Sequence, residues 1–300
     1  MENFLLHALA YLAIVLGASL KQIFILFGPS LVLAFMMHYV SMLVGRSAIL
    51  LVGPRVYIWV FKILGTPIHE GGHLLFAALF GHRIIDYRLF APNYHTGSAG
   101  YIQHTYNKSS IYQNIGNFFI GIGPILLGAV VVYFSAWALM GEEILQSLSA
   151  IEINTETFGS MQSFGGLVEN LARSAFSIFA ALFRLENLGK WQFWLFLYIL
   201  VSIGTSITLS PSDIQGAASG FSTIFALTFI FNLLTLWTDT PLFTNAALEI
   251  SRHFGSFYGL LLFTLFLNLL VGLFLLALTK LFPGLTRRSV RSMLDLFNDY

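Results

Sequence analysis

The chain contains no cysteine, which excludes disulfides and leaves any bound metal to imidazole and carboxylate ligands. Charge is scarce as well. Only 10% of its 300 residues are Asp, Glu, Lys or Arg, against about 25% in an average soluble domain. With a net charge of +1 there is no basic stripe to neutralise phosphates, so nucleic acid is excluded as a partner. The N-terminus opens on Met1-Glu2 and lacks a basic leader, so a retained first span is expected rather than a cleaved signal peptide. What is abundant is apolar. Hydrophobic residues make up 57% of the chain and mean hydropathy is +0.78, the composition of a multi-pass protein whose partner is the lipid bilayer.

Apolar stretches of about twenty residues, the length that crosses a bilayer, occur at the N-terminus and near 23–44, 114–140, 191–212, 217–238 and 257–281. A further run begins near Pro54 and continues through Lys62 and Pro67 to Phe80, with Pro54 placed where a helix can start. Residues Ser47 to Gly53 fit either the end of the preceding helix or a re-entrant loop. The expected fold class is an all-α polytopic membrane protein, residues 1–300 forming one integral membrane domain with about six transmembrane helices, allowing one either way. Residues 82–113 carry Arg83, Arg88 and Lys108 against Asp86, and the C-terminal tail carries Lys280, Arg287, Arg288 and Arg291 against Asp295 and Asp299. Both read as cytoplasmic, and the acidic segments 142–190 and 239–256 as external. Within 142–190, Phe164, Leu167, Val168, Leu171, Ala175, Phe179 and Leu182 recur at helical spacing, which predicts an amphipathic external segment.

The segment Thr66-Pro67-Ile68-His69-Glu70-Gly71-Gly72-His73 holds the pattern His-Glu-x-x-His within one of these apolar runs. On a helix, His69 and His73 share a face and can grip one metal ion, with Glu70 beside it as a carboxylate base. Ionisable groups at membrane depth are expensive and face protein or a wet cavity. Two histidines leave a catalytic zinc one protein ligand short. Of five Asp, only Asp213 sits at the depth expected for the membrane, in Leu209-Ser210-Pro211-Ser212-Asp213-Ile214-Gln215-Gly216. Pro211 and Gly216 predict a helix interruption around it, and Asp213 can also serve as an N-terminal cap.

Together these segments resemble the site-2 protease family of intramembrane zinc metalloproteases. The resemblance rests on His69 to His73, on Gly121-Ile122-Gly123-Pro124 and on Pro211 to Gly216, and it covers a core of about residues 55–238. It implies His69, His73 and Asp213 as ligands of one zinc per chain and Glu70 as general base to a zinc-activated water. The implied activity is a zinc metalloendopeptidase acting on a transmembrane protein substrate, in a bacterial or archaeal cell membrane, with the C-terminus and the active-site side cytoplasmic. Family members usually have Gly directly after the ligand Asp and often an Asn several residues earlier. Here Ile214 and Gln215 follow Asp213, and Ser206, Thr208 and Ser210 precede it.

Residues 82–113 change character. Ile85, Tyr87 and Leu89 alternate, a turn-rich stretch follows, and Tyr101 to Tyr106 alternate again, which predicts a small β-hairpin on the cytoplasmic side directly after the motif helix. Such an element offers an edge for an extended substrate. His82, His95 and His104 are candidates for stabilising an oxyanion there, or plain loop residues. Three other readings stay open: a prenyl-protein-trimming type of zinc protease whose third ligand would be Glu142, Glu143 or Glu169, a catalytically inactive family member, and a membrane transporter with a metal site.

Overall fold

A computed structural model describes residues 2–94, 98–142, 169, 173, 176–207, 210–238, 246, 255–284 and 286. The chain is mostly helical, with helices α1 (Glu2–Tyr57), α2 (Gly65–Leu79), α3 (Ile111–Met140), α4 (Trp191–Ser206), α5 (Pro211–Thr235) and α6 (Gly255–Leu281). Strands β1 (Arg83–Arg88) and β2 (Tyr101–Thr105) form one antiparallel pair between α2 and α3. Four helical stretches are long and apolar enough to cross a membrane by length and composition, which is compatible with a membrane protein.

The stretches expected as separate spans at the N-terminus and 23–44 are one helix. The helix runs on through Gln22, whose amide faces the bundle and exchanges two hydrogen bonds with the Asn232 side chain at 3.2 and 2.7 Å. Asn232 also donates to Ser19 at 2.9 Å. Continuity ends at Gly53, whose φ of 82° only glycine adopts readily. Pro54 opens the return run, and Ser47 to Gly53 belongs to the preceding helix. A π-helical turn, Ile58–Lys62, separates that run from α2.

Pairwise contacts give the helices their directions. Along α3, Gly128 meets Ile203 and Ile207, Gly121 meets Asp213 and Ala217, and Asn114 and Phe118 meet Gly220. Helices α4 and α5 therefore both run antiparallel to α3 and continue one another. Residues 191–235 make a single interrupted pass rather than two opposed spans. Helix α1 runs against that pass, with Ser41 donating to Thr205 O at 2.5 Å and Tyr11 to Leu233 O at 2.8 Å. Helix α6 runs with α1, since Ser30 faces Tyr258 and Leu43 faces Gly272.

These directions correct the expected sidedness. The base of the hairpin and the end of α5 share one end of the bundle, whereas Met140, Trp191 and Leu281 share the other. Residues 82–113 and the chain leading into the C-terminal tail are thus at opposite ends of the bundle, which does not support the expectation that both lie on one side. The tail beyond Thr286, most of 142–190 and most of 239–256 lie outside the described residues. Of the amphipathic stretch, Ile178 and Leu182 are buried in the main core with Phe193, Phe196 and Phe263.

Helices α2 and α3 touch through their backbones. A Cβ on Gly72 would lie 2.6 Å from the backbone of Gly123 and Pro124, and one on Gly123 would meet Gly72 O at 2.7 Å. Small residues at such a crossing let backbones approach where side chains would hold them apart. Phe76 and Phe80 stack on Phe119 beside this contact, at 6.1 and 5.2 Å between ring centroids. We expect Gly72→Ala to destabilise the fold by about 1–3 kcal/mol through overpacking. Thermal unfolding of the purified protein in detergent checks this, and an unchanged midpoint would show that the crossing relaxes freely.

Candidate metal centre

The α2–α3 contact orients the first histidine. Because the two backbones touch at Gly72 and Gly123, the Ile120 carbonyl reaches His73 Nδ1 at 2.8 Å. A carbonyl only accepts, so Nδ1 carries the hydrogen and His73 Nε2 presents a lone pair. That lone pair faces His69 Nε2 at 3.3 Å and Asp213 Oδ1 at 3.4 Å.

Asp213 is placed by the interruption between α4 and α5. Ser210 caps α5: its hydroxyl accepts from Asp213 N at 3.2 Å, while Asp213 Oδ2 accepts from Ser210 N at 2.9 Å. Pro211 occupies the first helical turn, where its missing N–H costs nothing. The carboxylate thus divides its labour, with Oδ2 closing the capping box and Oδ1 facing the histidines. The N-cap is Ser210 rather than Asp213, which is at once its capping-box partner and a candidate ligand. Gly121 holds α3 against it, since a Cβ there would lie 2.6 Å from Asp213 O.

One ligand atom from each of His69, His73 and Asp213 lies within 4.8 Å of the other two. Two imidazole nitrogens and a carboxylate oxygen converging with lone pairs inward repel one another unless a proton or a cation lies between them. Tetrahedral zinc, with arms of about 2.0–2.2 Å, separates its ligand atoms by about 3.3–3.5 Å. The separations of His73 Nε2 from His69 Nε2 and Asp213 Oδ1, 3.3 and 3.4 Å, match that edge. Donor type and spacing therefore fit a divalent metal held by two imidazoles and a carboxylate, with a fourth position left for water.

No family model, curated protein or solved structure matches this chain. The residues around the trio therefore carry the functional argument themselves.

They line a cavity of about 470 Å³. Glu70, buried beside His69, is on its wall, as are Lys62, Asn117 and His104. The opposite wall is the hairpin, whose backbone passes at Ser98 to Ile102, and Gly100 is so close to Glu70 that a Cβ would lie 2.7 Å from its Cγ. Rather than projecting away from the motif helix, the hairpin folds back along it. Its tip is pinned beyond Glu70 by Trp59 Nε1 donating to Tyr94 Oη at 3.0 Å, by Phe90 packing on Trp59, and by Ala99 buried against Ala48, Tyr57 and Ile58. An apolar, aromatic tip makes that return favourable. Across the hairpin, Tyr101 Oη donates to Asp86 at 2.6 Å and holds that carboxyl below its ordinary range.

The other sequence candidates separate clearly. His104 reaches the cavity and His82 stands behind it, whereas His95 and Glu143 lie outside the described residues. Glu142 follows the end of α3 and Glu169 pairs with Arg173, so neither is among the metal trio. Lys62 and Asn117 were not anticipated. Lys62 had a legible signal, because it precedes His69 by seven residues, two helical turns, which puts it on the histidine face. Asn117 had none, since only the α3–α5 packing brings it beside Asp213.

Because Asp213 both closes the capping box and faces the histidines, two variants separate its roles. Ser210→Ala should cost about 0.5–2 kcal/mol of stability through the lost cap and keep metal affinity within about threefold. Asp213→Ala should lose the cap and weaken zinc binding by at least about tenfold, read by zinc titration of metal-stripped protein. Equal zinc affinity in Asp213→Ala and the parent would remove Asp213 from the site.

Proposed function

We propose that this chain is a multi-pass membrane protein acting as an intramembrane zinc metalloendopeptidase, a reading that the resemblance to site-2 proteases first suggested. The observation that carries it is the shared cavity: a carboxylate base, a His-His-Asp trio and the backbone of a two-stranded sheet border one space. Each answers a separate need of peptide hydrolysis.

His69, His73 and Asp213 would hold the metal, which when bound lowers the pKa of water toward about 7 and polarises a carbonyl oxygen. Glu70 takes the proton from the attacking water and returns it to the amide nitrogen as the C–N bond breaks. Its position next to His69 and against Gly100 keeps the carboxylate at the trio with little freedom to swing away. Lys62 stands on the same wall, where its amino group can donate to a carboxylate or to a substrate carbonyl. Asn117 is tethered by donating to Ser219 at 3.3 Å, which anchors a polar side chain next to Asp213.

A peptide bond inside a helix is shielded by that helix's own hydrogen bonds, so the substrate must be extended before cleavage. Strand β2 pairs with β1 on one side only, in the register Ile84↔His104 and Arg88↔Tyr101. An extended segment could pair with a free edge of this sheet by strand addition, with main-chain hydrogen bonds replacing those lost from the helix. The proposed substrate is therefore a transmembrane protein segment that can unwind. The membrane supplies it, and the α4–α5 interruption, tolerated in lipid only where it lines a cavity, gives water and polar groups a place at that depth.

The test separates metal binding from chemistry. Glu70→Gln should retain zinc and lose cleavage of a transmembrane reporter by at least about 100-fold, measured with purified full-length protein in lipid vesicles. A zinc-loaded parent that cleaves no transmembrane reporter, or a Glu70→Gln variant with parental turnover, would overturn the reading.

A further inference from the structure

His82 and His104 are separate from the metal trio, yet His104 stands on the wall of the same cavity. Their Nδ1 atoms are 3.0 Å apart. His82 Nε2 is 2.9 Å from Gln113 O, and because a carbonyl only accepts, that nitrogen bears the hydrogen. In a neutral ring His82 Nδ1 is then a lone pair and can only accept from His104. His104 Nδ1 therefore donates, and its other nitrogen, Nε2, is left as a lone pair. No protein donor reaches that atom among the described residues.

The arrangement is held in place. His82 is buried, and its ring stacks on Tyr106 at 5.1 Å between centroids and 20° between planes. Gln113 is itself anchored, donating to Gly81 O at 2.7 Å and accepting from Asn107 N at 2.6 Å. Burial, then the neighbouring His82 and His73, push the His104 imidazole below the usual histidine range, so the ring is neutral near pH 7. Of the cavity's other polar side chains, Ser206 Oγ also lacks a partner among the described residues and Asn117 keeps its Oδ1 as an acceptor. Ser210 and Ser212 hydrogen-bond to each other and Asn117 donates to Ser219, while Lys62 can only donate. His104 Nε2 is a fixed acceptor with nothing to accept.

A peptide brings one N–H next to its scissile carbonyl. We infer that His104 is a catalytic residue of the proposed hydrolysis, accepting a hydrogen bond from the scissile amide N–H, and that His82 is its positioning residue. This rests on the hydrolase reading and specifies how the leaving group is handled. As water's oxygen bonds to the carbonyl carbon, the amide nitrogen loses conjugation and becomes pyramidal and basic. It receives from Glu70 the proton taken from water, the C–N bond breaks with its electron pair going to nitrogen, and an amine and a carboxylic acid leave. While it is protonated the nitrogen carries positive charge, so its N–H donates to His104 more strongly in the transition state than in the ground state. The same contact turns the nitrogen's new lone pair away from His104 and frees it to face another group.

An ester isolates this contact, because its leaving oxygen has no N–H. The experiment uses a transmembrane reporter and its depsipeptide twin, in which oxygen replaces the scissile N–H, with full-length parent, His104→Ala, His82→Ala and His82→Asn. His104→Ala should keep its zinc and lose about 10- to 100-fold in kcat on the amide, yet less than about threefold on the ester. His82→Ala should follow the same pattern, and His82→Asn, which retains an acceptor for His104 and a donor for Gln113, should recover amide turnover. Equal losses on both bonds, or no loss on the amide, would overturn the role of His104. A parent that cleaves neither bond would overturn the hydrolase reading and this role with it.

Discussion

The backbone contact between α2 and α3 is the constraint on which the candidate site depends. With Gly72 and Gly123 at the crossing, no side chain separates the two backbones at that point. Only at that separation does the Ile120 carbonyl reach His73 Nδ1, and only that hydrogen bond turns the other nitrogen toward His69 and Asp213. A larger residue at the crossing would not touch the site, yet it would change which atom of His73 faces it. The apolar setting strengthens the effect, because an imidazole N–H without a partner is costly where water is scarce.

The second element is the interrupted pass formed by α4 and α5. An unbroken helix would satisfy its own backbone and offer only side chains to a cavity. Because α5 starts afresh at Pro211, N–H groups at its start need acceptors, and Asp213 meets that need with one oxygen while directing the other inward. The site is thus built from the unsatisfied end of a helix. The same logic runs through the bundle at Gln22, Asn232 and Ser19, where buried polar side chains satisfy one another across helices.

The hairpin closes the arrangement from the other side. Its strands are short and its outer residues exposed, so packing of its tip, rather than pairing alone, decides where it lies. Phe90, Tyr94 and Ala99 dock near Trp59, and this draws β2 across Glu70 and brings His104 to the cavity. A sheet edge, the Glu70 carboxylate and a set of candidate metal ligands thereby meet, although they come from segments with no common local pattern.

How much of this was legible in the residues follows from the range of the forces involved. Helical character, the pairing of His69 with His73, the position of Glu70, the hairpin strands and the capping chemistry of Ser210 and Asp213 are local, set by periodicity, turn residues and side-chain reach over a few positions. Composition, summed over the chain, indicated apolar helices of membrane length. Helix direction is not local. The passes assigned to 191–212 and 217–238 look alike whether they oppose or continue each other, and only the glycine contacts of α3 decide that they continue. That outcome, in turn, separates the hairpin from the C-terminal tail. Asn117 and His104 became part of the cavity for the same reason, since contacts between residues far apart in sequence depend on how closely backbones can approach. The sequence by itself determined which groups could bind a metal and move a proton; tertiary packing decided that they face one space, because only the close crossing of α2, α3 and α5 brings their polar atoms within a few ångströms.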